Sequence, residues 1–166
     1  MSSIVFQDMR ESKALAYSVY SAYRTPNKKE DRHFAMSYIG TQADKLAEAM
    51  KGMNELLDTM PQAEANMNNA KESILKKIRT ERITKINVLD QYEKARKMGV
   101  NYDIREDVFN QVLNFDMNSL VDFHNNHMNI NSRIVLVLGS KEDLDLNVLK
   151  QYGEIQHLTL QDVFGY

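Results

Sequence analysis

The chain has no cysteine, which excludes disulfides and thiolate metal sites. It is also poor in chain breakers: its two prolines, Pro26 and Pro61, fall between predicted elements, and its six glycines are scattered. Scattered glycines leave no phosphate-cradling loop and no G-x-S-x-G nucleophile elbow. No apolar run approaches the roughly 18 residues of a membrane span. The first twenty residues carry Asp8, Arg10 and Glu11 and lack an apolar export core. Net charge is −2 with both signs mixed along the chain, so there is no electrostatic footprint for nucleic acid or a membrane surface. The densest basic stretch, "KKIRTERITK" (76–85), contains Glu81 and reads as the solvated face of a helix, with an anion site as the alternative. Neither H-E-x-x-H nor its inverse H-x-x-E-H occurs, so the helical zinc pair with its catalytic glutamate is missing.

What is present is ordinary globular material. With 166 residues, 43% apolar and 27% charged, the chain suits one domain with a core of its own. The periodicity predicts a helix over 2–13, with Ser2 or Ser3 as its cap, followed by a strand over 15–23. In that strand Leu15, Tyr17, Val19 and Tyr23 share one face. A polar loop over 24–33 leads to a second strand, "FAMSYIG" (34–40), completing a long-looped antiparallel hairpin.

Thr41 with Asp44 reads as a helix start. Leu46, Met50, Met53, Leu57 and Met60 then form one apolar stripe, so these methionines read as packing rather than as a promiscuous groove. A second long helix over 62–83 would turn Met67, Ala70, Ile74 and Ile78 inward. A third, over roughly 86–98, ends in a basic turn and Gly99, a suitable left-handed cap. Shorter helices follow near 104–114 and 117–128, the latter capped by Asp116. His124 and His127 stand three apart there, a spacing that could serve a metal but reads better as an amphipathic helix end.

At the C-terminal end, "RIVLVLGS" (133–140) reads as a continuous apolar strand, buried on both sides or deep within a sheet. Ser140 and Asp143 would cap a short helix ending at Gly153, and "IQHLTL" (155–160) would be a last strand, able to pair in parallel with 133–140 through a right-handed crossover. The expected fold class is α+β, a mostly antiparallel sheet of about four strands with helices on one face.

One stretch carries more than secondary structure. Arg10 stands seven residues before Tyr17 in "RESKALAYSV", and the wider segment "IVFQDMRESKALAYSVYSAY" with "SYIGTQADKLAEAM" resembles the non-catalytic domains of insulinase/pitrilysin-type zinc peptidases. Ala14 stands where the family often has glycine. The resemblance implies an incomplete mitochondrial-processing-peptidase-like metallohydrolase fold. It also implies a single C-terminal, non-catalytic domain over 1–166 that lacks its first strands. Zinc would sit in a catalytic partner domain, of the same or another chain, and not here. The partners implied are that domain and a peptide substrate, with a homo-oligomer through an exposed sheet edge as a further expectation.

By the same resemblance, Arg10 and Tyr17 would bind substrate. Arg10 would offer its planar fork to a substrate carbonyl, and Tyr17 its O–H to the scissile carbonyl oxygen. A tyrosine phenol ordinarily keeps its proton at pH 7, and phenylalanine could pack there but not donate. A scaffold or assembly module of the same fold stays open as an alternative, as does a stand-alone metal enzyme using His124 and His127. The compartment is left open.

Overall fold

Apolar residues at Ile4, Val5, Phe6 and Met9 give the first helix a side to bury, and only Met9 is completely enclosed, at 0% exposure. In the computed structural model, which describes residues 4–128 and 133–166, Ile4–Phe6 (α1) continues directly into π-helical Gln7–Ser12. The expected caps Ser2 and Ser3 lie outside the described residues. The hairpin forms as anticipated, with strands Ser18–Arg24 (β1) and Phe34–Gly40 (β2) paired and the polar loop between them. Helices Leu46–Asp58 (α2), Glu64–Thr80 (α3), Val88–Lys97 (α4), Arg105–Asn114 (α5), Met117–Phe123 (α6), Leu146–Lys150 (α7) and Leu160–Phe164 (α8) follow.

The chain divides into two compact units. The first holds the residues up to Tyr20, then Tyr38–Glu55 and Ile134–Tyr166; the second holds Ser21–Ser37 and Leu56–Arg133. The first unit's core is Met9, Leu15, Val19, Leu46, Ala49 and Met53. Gly52 lets Met9 pack close to α2: a Cβ there would stand 3.0 Å from Met9 Sδ, and the end of the methionine would have to shift slightly to admit it.

In the second unit, α3 packs along α5, and Leu75 and Met117 are buried. The inward face of α3 runs through Met67, Lys71, Leu75 and Ile78, with Ala70 and Ile74 exposed, which corrects the expected stripe. Lys71 is there because its ammonium donates to Leu113 O at 2.8 Å and Phe115 O at 2.9 Å. A cation therefore satisfies carbonyls that the end of α5 leaves without helical partners. The cation-rich end of α3 is solvated, with Arg79 stacked 5.1 Å from the Phe109 ring centroid. Gly99 ends the α4 region at φ 78° and Asp116 caps α6, accepting from Ser119 N, both as anticipated.

The sheet is smaller than expected. Among the described residues it has two strands, not about four, so the architecture is α+β with a single antiparallel hairpin. Residues 134–139 make no backbone hydrogen bond to any described residue. They run without a ladder, and Ile134 and Leu138 are 99% and 101% exposed instead of buried on both sides. A strand exists only where a neighbour supplies the pairing groups.

"IQHLTL" forms no strand: residues 155–158 find no ladder partner among the described residues, and its end becomes a helix start. Thr159 and Asp162 close a capping box that opens α8 at Leu160. No parallel strand–helix–strand unit forms among the described residues. The helix before it also starts differently: Ser140 Oγ bonds Glu142, and Asp145 caps α7 by accepting from Asn147 N. Thr41 is likewise not a cap, since its hydroxyl oxygen is shielded without a partner among the described residues and Gln42 occupies the position before the 3₁₀ turn Ala43–Lys45.

Candidate functional site

Arg10 and Tyr17 both belong to the first unit, on either side of a helix-to-strand turn. The turn is tied down by backbone bonds. Lys13 N donates to Asp8 O at 3.0 Å and Leu15 N to Met9 O at 2.9 Å. This is the closure of a left-handed helix cap, with one residue more per ring because this helix end is π-type. The left-handed residue is Ala14, at φ 51°. Alanine here adopts the conformation that glycine takes without strain, so the turn geometry persists at a cost of about 1–2 kcal/mol. Lys13 reinforces it with a 2.7 Å ion pair to Asp8.

Tyr17 N donates to Gly40 O at 2.8 Å, placing the residue at the mouth of the hairpin just before β1 begins. The anticipated alternation fails here. Leu15 and Val19 are buried while Tyr17, between them, is 68% exposed. Residues 14–17 belong to the turn and not yet to the ladder, so period-2 facing does not apply to them. The result is a tyrosine fixed through its backbone with its ring presented outward.

Among the described residues its hydroxyl has one protein partner. Gln42 Nε2 donates to Tyr17 Oη at 2.8 Å. Gln42 has extended backbone, φ −76° and ψ 150°, two residues beyond Gly40. Sequence reasoning missed it, because the contact depends on a hairpin register that the nine-residue polar loop does not reveal.

Arg10 is exposed, and its guanidinium lies 4.9 Å from the Phe6 ring centroid. It forms no ion pair or hydrogen bond with a described residue, so its fork remains available. Arg10 and Tyr17 make no direct contact.

The histidines face other tasks. His124 Nε2 lies 3.0 Å from Leu57 O, and the His127 ring lies tilted against Phe123, 5.0 Å between centroids. Among the described residues no three His, Cys, Asp or Glu side chains gather to hold a metal.

No family model matches the chain, and no solved structure matches it. A stretch of 77 residues, 45% of the chain, is 38% identical to a Bacillus subtilis (strain 168) protein named "Uncharacterized zinc protease YmxG". The chain spans 18% of that protein's length. The similarity supports a relationship to zinc proteases.

Proposed function

We propose that this chain is a non-catalytic, substrate-binding part of a zinc metalloendopeptidase of the insulinase/pitrilysin type. The 38% identity to a named zinc protease is the observation that carries this reading. The absence of H-x-x-E-H from the sequence supports the non-catalytic role. The outward Tyr17 ring and the available Arg10 fork support a role in gripping substrate.

In this reading Arg10 donates to a carbonyl of an extended peptide, fixing its register. Tyr17 donates its O–H to the scissile carbonyl oxygen, where negative charge grows as the carbon becomes tetrahedral. Zinc and the attacking water belong to a partner domain, of the same polypeptide or another. This chain's residues orient the peptide and stabilise charge; they do not generate the nucleophile.

The exposed Ile134, Leu136 and Leu138 favour a second reading, a catalytically inactive assembly module of the same fold. Affinity purification from the native host, through a tag on this chain, separates the two. Stoichiometric zinc and cleavage of an internally quenched peptide, both in the same assembly, are expected. A purified assembly with neither would leave the scaffold reading standing and remove the peptidase one.

A further inference from the structure

We infer that Gln42 is a positioning residue that aims the Tyr17 hydroxyl proton outward, toward the oxygen of a bound peptide carbonyl. This rests on the substrate role proposed for Tyr17. Its physical basis is the Gln42 Nε2 to Tyr17 Oη bond at 2.8 Å. A phenol oxygen carries one proton and can also accept, whereas a carboxamide nitrogen only donates. With Gln42 donating, the acceptor side of Oη is occupied and the single O–H must point elsewhere. Elsewhere is open solvent, since Tyr17 is 68% exposed and its hydroxyl has no second protein partner among the described residues.

The arrangement becomes a relay when a carbonyl oxygen arrives: the amide N–H donates to the phenol oxygen, and the phenol O–H donates to the carbonyl. Donors in series polarise one another, so the phenol becomes a better donor than it would be alone. The backbone makes the aim reproducible. Tyr17 N is bonded to Gly40 O, and Gln42 follows Gly40 by two residues on extended chain. Both members of the pair are therefore referenced to one point of the hairpin mouth. Water competes with an exposed bond of this kind in the free protein, and a bound peptide that excludes water strengthens it.

The test uses three substitutions in the assembly purified from the native host, read as kcat and KM on an internally quenched peptide. Gln42→Glu keeps the shape but replaces the donor with a carboxylate, which accepts and captures the Tyr17 proton. It should lower kcat by at least about tenfold, the equivalent of one net hydrogen bond, with KM little changed. Gln42→Met, which removes the donor without adding an acceptor, should fall between Gln42→Glu and the parent. In a Tyr17→Phe background neither should matter, because a residue acting through Tyr17 has nothing left to act on. A merely structural role for Gln42 would persist in that background.

The outcomes are separable. If Tyr17→Phe collapses kcat and Gln42→Glu stays within about twofold of the parent, the positioning role is wrong and the substrate role of Tyr17 stands. The same holds if the two effects are additive. If Tyr17→Phe leaves kcat unchanged, the substrate role falls and the inference falls with it. The hydrogen bond itself is then still readable from the Gln42 side-chain amide resonance, which should move on Tyr17→Phe in the isolated chain.

Discussion

Met9 Sδ lies 3.0 Å from the point where a Cβ on Gly52 would stand, and among the described residues Met9 is the large side chain that is fully buried. The residue next to it in sequence is Arg10. Arg10, the residue proposed to meet substrate, is therefore anchored by a methionine seated on a glycine.

Two substitutions probe that seat. Met9→Ala should destabilise the first unit by about 2–5 kcal/mol through lost burial and a residual cavity. Gly52→Ala should be nearly neutral, because helix propensity gains up to about 1 kcal/mol and the flexible end of Met9 can shift. Gly52→Leu cannot be absorbed in that way and should cost about 1–3 kcal/mol. Urea melts of the three variants check the order. Equal stability of Met9→Ala and the parent would refute the seat.

Ala14 at φ 51° gives a second expectation. Ala14→Gly relieves left-handed strain but loosens the unfolded chain, so stability should stay within about 1 kcal/mol of the parent. Ala14→Val should lose about 2 kcal/mol or more, since a β-branched residue tolerates that backbone least. A neutral valine variant would show that the turn is not left-handed.

Acid should act through helix caps. The backbone N–H and hydroxyl of Ser119 hold the Asp116 carboxyl below the ordinary carboxylate range, and the Thr159 hydroxyl and N–H do the same for Asp162. A depressed native pKa means that the stabilisation is present above the unfolded value, near pH 4, and is lost as pH falls through the lower native values. Carboxyl-carbon NMR should place both midpoints below that of an unbonded aspartate. The Ser119 amide resonance should follow the Asp116 titration, and Asp116→Asn should abolish its pH dependence. A midpoint at the ordinary value would contradict the cap.

Self-association is expected from residues 134–138. Their backbone is without ladder partners among the described residues, and Ile134, Leu136 and Leu138 are exposed at 99%, 81% and 101%. Apolar segments with open pairing groups recruit other chains. Light scattering should show mass rising with concentration, and Leu136→Lys should lower it. A parent that is monomeric at every concentration would contradict this.

Much of the helical part was legible because its signals are local. Leu46 and Met53 of the expected α2 stripe, the left-handed Gly99 and the Asp116 cap each depend on residues a few positions apart, although Ala49 and Gly52 are buried on α2 while Met50, Leu57 and Met60 are only half-buried. The hairpin was legible from two short runs and a polar loop. What failed depends on neighbours distant in sequence. A fully apolar run such as 134–138 predicts a central strand only if flanking strands exist to pair with it, and sequence periodicity cannot supply them. The α3 stripe was displaced because Lys71, a polar residue by pattern, turns inward to cap another helix. Of the candidate site, the spacing of Arg10 and Tyr17 was visible, but the outward turn of Tyr17 and its bond to Gln42 were set by backbone geometry at Ala14 and Gly40.

The most direct measurement is the turnover of Tyr17→Phe in the native assembly, on an internally quenched peptide, with folding checked by circular dichroism. Loss of one oxyanion donor predicts a fall in kcat of roughly 100-fold or more with the fold intact. A folded variant that cleaves at the parent rate would contradict the role assigned to Tyr17.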